Sequence, residues 1–343
     1  MRNVRRTAQM LILILILAAM VWAVPRALAE KQTTFCASWV INAERAMHIL
    51  SVKKGYFKAE GLDVKYVRGY GSGDAFKRVG AGSCDIAETA GGAVVLGRAK
   101  GIPAKLVAMQ SHKFEETLFF FAGSGINSPK DLEGKRVTGG PKAASNTLMF
   151  PLFAKANNID LSKVGIIYMS PGAKAASLAA GKVDALASYH RSRPRLDKAS
   201  KQVGKDIKMM VYADYGVDLY SGGITASDAT IANKGEFVLS FLRGLFRGMA
   251  ESLKDPEGTI DLFMKEHGGS RVFSIRTLKL VQDFWFDRYY KKEGLGHVNE
   301  KKMADTIRLT LGARGVKGSL SPGDVMTNRF IDQVPRKWRF PKS

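Results

Sequence analysis

Residues 55–107 read GYFKAEGLDVKYVRGYGSGDAFKRVGAGSCDIAETAGGAVVLGRAKGIPAKLV, and this stretch decides the fold class. Leu62 to Val67 alternates apolar and polar residues, the period of a half-buried strand. Gly69, Gly71 and Gly73 break it, and Asp74 to Val79 places Ala75, Phe76 and Val79 on one helical face. Asp85 to Ala87 is a short second strand. Thr89 then caps a helix that starts near Gly91 and carries Val94, Val95 and Leu96. Gly101-Ile102-Pro103 ends that helix, and Lys105 to Met109 is a third strand. Two strand–glycine turn–helix units in tandem predict a parallel sheet with helices on its faces. In such sheets the ligand site lies beyond the carboxyl ends of the strands. Ser72, Gly73, Thr89, Ala90 and Gly91 fall on that rim. Their free N–H groups at two helix starts would suit an anion or an acceptor atom. The plainer reading is that these glycines only make tight turns.

Working outward, Thr34 to Trp39 is the first strand, followed by a helix to Val52 that holds His48 in a structural position. Trp39 is a cleft-lining candidate or an ordinary core aromatic. Leu118 to Ala122 and Lys135 to Thr138 open a second unit of the same kind. Its glycine turn, Gly139-Gly140, leads to Ser145, Asn146 and Thr147 at a helix start, either a third ligand-facing group or plain capping. Pro151 stands inside that helix. Val164 to Met169, a helix from Pro171 to Ala180, Val183 to Ala187 and Asp206 to Val211 follow. Asp184 is an acid in an apolar strand, and three roles stay open for it: a ligand contact, a hydrogen bond within the fold, or a solvated strand start. Tyr189 and His190 end the same strand. The stretch from Asp214 to Ser227 is the return crossover. From Asn233 onward the pattern is helical, with helices expected at Val272–Lys292 and Pro322–Ile331, and a broad apolar face from Phe237 to Met249. The predicted architecture is two α/β lobes, the second inserted into the first, with a helical tail packed on the first. The expected segments are 1–29, 30–118, 119–217 and 218–343.

Composition agrees with a globular chain: 343 residues, 45% hydrophobic and 24% charged. The first 29 residues differ. Arg2, Arg5 and Arg6 precede an apolar run from Met10 to Val24, and Ala27-Leu28-Ala29 supplies small residues, the pattern of a signal peptide cleaved after Ala29. Cleavage removes four arginines and no acid, so the formal charge falls from +22 to +18. Such a surface attracts anions. The basic residues are spread out, and the run from Arg191 to Lys205 lacks interleaved aromatics, which argues against nucleic acid. Cys36 and Cys84 both read as strand residues of one sheet. Neighbouring strands seldom aim two Cβ atoms correctly, so two buried thiols are expected rather than a disulfide.

The chain shows no H-E-x-x-H, no G-x-S-x-G, no phosphate loop and no cysteine pair of metal spacing. Glu115 and Glu116 are adjacent in a strand, point to opposite faces, and so would not share one substrate. No catalytic set, metal or cofactor is predicted. A glycine-lined gap between lobes in an exported monomer points to binding a small molecule.

The segments GYFKAEGLDV, GSGDAFKRVGAGSCDIAETAGGAVVLGRAKGIP, SPKDLEGKRV, FPLFAKANNID and AAGKVDAL, in this order, resemble the exported solute-binding proteins of ABC importers. The resemblance is to the NMT1/THI5-like group that binds sulfonates, nitrate or thiamine-pyrimidine precursors, and it spans nearly all of the mature chain. It implies a type II periplasmic-binding fold, a periplasmic location, a membrane permease as partner and no enzymatic activity. Carried residue by residue, it implies that Trp39, Ser72, Gly73, Thr89, Ala90 and Gly91 line one lobe. Ser145, Asn146, Thr147, Asp184 and Tyr189 would line the other. Trp39 is followed by Val40-Ile41-Asn42 rather than the family's acidic or histidine-bearing segment, a departure that touches the ligand class. Three helix starts favour a sulfonate or carboxylate, with Trp39 and Tyr189 stacking the organic part. The rival is a neutral or cationic heterocycle held by Asp184 or Asp218. Further rivals are an envelope sensor and a cofactor-biosynthesis enzyme on the same scaffold.

Overall fold

The structure is a computed structural model that describes residues 31–316 and 318–341; the signal-peptide segment lies outside the described residues. Ten strands form two five-stranded sheets. The first has the order β2 (Leu62–Val67), β1 (Lys31–Cys36), β3 (Ile86–Ala90), β10 (Gly222–Ser227), β4 (Ala104–Met109). The second has the order β7 (Gly165–Tyr168), β6 (Arg136–Gly140), β8 (Ala185–Tyr189), β5 (Glu116–Phe121), β9 (Ile207–Val211).

The sheets are mixed, which corrects the expectation of a parallel sheet. β1 and β3 run parallel, with Phe35 opposite Ile86. β10 is the returning chain and lies antiparallel to both β3 and β4. In the second sheet β5 plays the same part, antiparallel to β8 and β9, while β6 is parallel to β7 and β8. A strand that arrives by crossing from the other lobe has no crossover helix to turn it parallel. The two crossing segments, 110–115 and 212–221, are joined to each other. Gln110 N and Ser111 N both donate to Gly222 O (2.9 and 2.8 Å), and Ser221 N donates to Ser111 O at 3.3 Å.

The helices that position the site are α1 (Ala46–Lys53), α2 (Ser72–Gly80), α3 (Gly91–Arg98), α4 (Ser145–Ala156), α5 (Lys174–Ala179) and α6 (Arg193–Val203). Pro151 sits inside α4 without ending it. The tail supplies α7 (Gly235–Lys254), α8 (Pro256–His267), α9 (Arg271–Asp283) and α10 (Glu300–Ala313). α7 buries Phe241, Leu245, Phe246 and Met249 against the first sheet, where Phe35 meets Phe241 edge-on at 4.9 Å. A side chain at Gly248 would strike Ser51 Oγ at 1.9 Å, so glycine there is what lets α7 lie on α1. The expected helix over 272–292 ends at Asp283, and the one expected over 322–331 is a single turn, Pro322–Val325. The tail also reaches the second lobe, beyond the packing predicted for it: Lys155 Nζ donates to Gly312 O at 2.6 Å, and Arg276 pairs with Asp197 at 3.3 Å.

Cys36 and Cys84 form a disulfide, contrary to the expectation of free thiols. Cys84 is not a strand residue. It lies in the bend before β3, free of sheet pairing, and the Cα atoms are 6.0 Å apart, within the range a disulfide spans. Among the described residues no helix is long and apolar enough to cross a membrane, and no cluster of His, Cys, Asp or Glu is placed to hold a metal. Two open mixed sheets flanked by helices and joined by two crossings are the two-lobed type II arrangement that the resemblance implied.

Candidate functional site

The carboxyl ends of β1 and β3 face the ends of β6 and β8 across the gap between lobes. On the first lobe, Ala37 N donates to Val67 O at 2.8 Å and Gly69 N to Trp39 O at 2.9 Å, which fixes the loop that carries Trp39. A Cβ at Gly69 would lie 1.9 Å from Ala37 O, so this close approach requires glycine. The Trp39 ring reaches across the gap. It lies 3.2 Å from where a Cβ on Gly140 would stand, and Lys174 Nζ lies 5.5 Å from its centroid. Gly140 has φ +101°.

Behind Trp39 stands a buried pair. Arg45 donates to both oxygens of Glu88, Nε to Oε2 at 2.9 Å and Nη2 to Oε1 at 3.0 Å, and Ser38 Oγ adds a bond to Glu88 at 3.1 Å. Burial pushes the Glu88 carboxyl up, but the Arg45 charge and hydrogen bonds, with His48 and Arg191, together outweigh it and hold the pKa at about 2. His48 bonds Tyr66 OH at 2.9 Å and Gln110 at 2.7 Å. Burial lowers its pKa to about 4, which suits the structural position read from the sequence.

On the second lobe Glu115, the last residue of the crossing segment, and Glu116, the first of β5, take different partners. Glu116 accepts from Ser145 Oγ at 2.8 Å and from the Asn146 amide, and it stands opposite Tyr189 in the β5–β8 register. Burial pushes its pKa up to about 7 despite those two donors. Glu115 accepts from Arg191, whose Nε also donates across the gap to Glu44 at 3.0 Å. The Arg191 guanidinium lies 4.0 Å over the Tyr189 ring. Lys174 Nζ donates to Ala187 O at 2.9 Å and to Asn146 Oδ1 at 3.4 Å. Burial lowers its pKa to about 7, and the charge of Arg195 adds to that.

Of the residues read from sequence, Trp39, Ser145, Asn146 and Tyr189 thus come together around Lys174 and Glu116. The others do not offer the free donors expected of them. Gly73 N is bonded to Ala143 O of the other lobe at 3.1 Å, and Gly91 N to Ser221 O at 2.8 Å. Ala90 is paired with Gly222 in the sheet, and the Thr89 hydroxyl reaches Thr225 at 3.4 Å. Ser72 is buried at the start of α2. Thr147 Oγ1 is buried without a hydrogen-bond partner. Asp184 does not line the gap: it precedes β8, at the amino end of the strand, where a strand-start acid was one of the roles left open for it. There it accepts from Arg136 N at 2.7 Å and from the Arg136 guanidinium at 2.8 Å. Asp218 is 58% exposed on the return crossover and faces Lys302, so it too leaves the gap.

Glu44, Arg45, Glu88, Glu116, Lys174 and Arg191 were not among the predicted site residues. The only signal for any of them was the Glu115-Glu116 pair. Together, four carboxylates (Glu44, Glu88, Glu115, Glu116) face four cations (Arg45, Lys174, Arg191, Arg195), and a cavity of about 20 Å³ remains beside Glu44, Arg45, Glu88 and Arg191. The lobes are closed on one another. The arrangement offers two aromatic rings and mixed donors and acceptors; Arg45 and Arg191 are paired with carboxylates, while the buried Nε of Arg195 has no hydrogen-bond partner among the described residues.

The family model described as NMT1/THI5 like matches residues 42–259. The riboflavin-binding protein RibY of Chloroflexus aurantiacus is 25% identical over 309 residues, covering 88% of this chain and 86% of that protein. The formylaminopyrimidine-binding protein of Halalkalibacterium halodurans is 26% identical over 228 residues, 66% of this chain and 68% of that one. Among solved structures, the alkanesulfonate-binding protein SsuA of Xanthomonas axonopodis pv. citri, bound to MOPS, aligns with a TM-score of 0.68 at 16% identity. That alignment covers 86% of this chain and 98% of the other.

Proposed function

The chain belongs to the NMT1/THI5-like family, and from that premise we propose that it captures a neutral nitrogen heterocycle between its two lobes and delivers it to an ABC permease. The observation that carries this reading is the charge balance of the gap. A sulfonate or carboxylate needs an uncompensated cation or free N–H groups. Here Arg45 and Arg191 are already matched by carboxylates, and the turn N–H groups of Gly73 and Gly91 are used. A planar heterocycle instead needs aromatic faces and in-plane donors and acceptors. Trp39 and Tyr189 supply the faces, and Asn146 and Glu116, which bond one another in the closed gap, would exchange that bond for an edge that both donates and accepts. Two relatives that cover most of their own length with this chain are named for heterocycles, a flavin and an aminopyrimidine. The likeness to an alkanesulfonate-binding protein speaks for the fold alone.

The closing step follows from linkage. A ligand that touches both lobes favours the closed form by its differential affinity for it. The crossing segments 110–115 and 212–221 act as the hinge, and the amino-terminal segment through Ala29 is the export signal of a protein that works as a monomer. A thermal-melting screen tests the ligand class, because only the native gap binds. Riboflavin or an aminopyrimidine should raise Tm, while alkylsulfonates, aromatic carboxylates and nitrate leave it unmoved. A rise with anions and none with heterocycles would overturn the assignment.

A further inference from the structure

The positive charge that the gap lacks stands beside it. A groove of about 540 Å³ opens on the flank of the molecule, separated from Trp39 by Gly139 and Gly140. Ile102, half-buried just after α3, forms the accessible part of one wall, backed by the buried Phe76 of α2 and Leu96 of α3; Leu148 of α4 and Ile166 of β7 form the other. Lys77, Lys100, Lys142 and Arg314 stand around it, all exposed, and none is in an ion pair with a described residue. No aspartate or glutamate lines it. Its two walls come from different lobes, and its volume is that of a small-molecule site rather than a packing fault.

We propose that this groove is a second binding site, specific for an aromatic organic anion: a ring system against Ile102, Leu148 and Ile166, with a sulfonate, carboxylate or phosphate held by the surrounding cations. Apolar burial supplies most of the affinity, and the cations select the sign of the charge. In the gap Arg45 and Arg191 are spoken for by carboxylates; at the groove no cation is paired with a described residue. The two places therefore select different chemistry.

The probe is 8-anilinonaphthalene-1-sulfonate, whose fluorescence rises in an apolar site, titrated against the folded full-length mature protein. Binding should saturate at one probe per chain and weaken as salt is added. The Lys100→Glu/Lys142→Glu variant changes only exposed side chains, and it should bind about tenfold more weakly because two attractions become repulsions. N-phenyl-1-naphthylamine, the same rings without the sulfonate, should bind more weakly to the wild type and equally to both proteins. Trp39→Ala should leave probe binding unchanged, and riboflavin should not displace the probe. The proposal is overturned by unsaturable fluorescence, by equal affinity in the charge-reversed variant, or by loss of the probe in Trp39→Ala. None of these results bears on whether a heterocycle binds in the gap, which the melting screen decides separately.

Discussion

Replacing Glu88 by Gln tests the charge balance of the gap from the inside. The carboxyl of Glu88, ordinarily at 4.5, is held at about 2, because Arg45, with smaller help from His48 and Arg191, outweighs the effect of burial. At about 1.36 kcal/mol per pH unit, that difference makes ionised Glu88 worth about 3 kcal/mol to the folded state. The sign is fixed by the direction: the folded pKa lies below the unfolded one. The contribution is therefore complete above pH 4.5 and is lost as pH falls through about 2. Glu88→Gln should lose about 3 kcal/mol at pH 7, in line with the cost of removing one partner of a buried pair. Arg45 would keep only Ser38 Oγ, Glu44 and the Val40 carbonyl. Urea unfolding of both proteins from pH 7 downward reads this directly. The wild type should lose stability through the acid range more steeply than the variant, so that the two curves converge. The variant also removes the bidentate partner of the Arg45 guanidinium and leaves it only the longer contact to Glu44, so an alkylsulfonate that does not shift the wild-type Tm should now raise it. Curves that stay parallel, or no loss at pH 7, would refute the assignment of this carboxylate as the neutralising partner of Arg45.

Trp39→Ala removes the ring that reaches from one lobe to Gly140 and Lys174 of the other. It should cost about 2 kcal/mol of heterocycle binding, roughly thirtyfold in Kd by calorimetry, with little change in Tm of the free protein. Replacing both cysteines by serine opens a disulfide that closes a separation of 48 residues, and it should cost about 4 kcal/mol in urea unfolding. Lys174→Met removes an amine whose folded pKa, about 7, lies below its ordinary 10.5. Burying the charged form penalises the fold below pH 7, and the penalty fades as pH rises to 10.5. Wild-type stability should therefore gain over that window relative to Lys174→Met, whose profile lacks this rise.

The organisation into two lobes was legible because glycine turns and strand periods are local. That Glu115 and Glu116 would not share one partner was legible too: the two carboxylates do go to Arg191 and to Ser145 with Asn146, though only Glu116 lies in the strand. The direction of β10 was not legible, since it depends on where the returning strand inserts. Nor was the use of the Gly73 and Gly91 N–H groups, because their acceptors, Ala143 and Ser221, are 70 and 130 residues away in the chain. Lys174 looks like an ordinary helix start and Arg191 like the first residue of a basic run. Only the closure of the lobes places them beside Asn146 and Glu44. Cys84 was misread by its nearness to a strand it does not join. The anion expectation rested on free donors at helix starts, which attract anions only while those donors are unoccupied; the sequence could not show that the Gly73 and Gly91 N–H groups are already bonded.

The most direct measurement is the identity of the small molecule that stays with the protein when it is purified, folded, from the periplasm of cells that take up the solute. Denaturing the protein and identifying the released compound by mass spectrometry tests the gap as it is used. A flavin, pyrimidine or other uncharged nitrogen heterocycle, present at one per chain and lost in Trp39→Ala, is the predicted result. A sulfonate, carboxylate or nitrate at that stoichiometry, lost in the same variant, would contradict the charge balance on which the account stands.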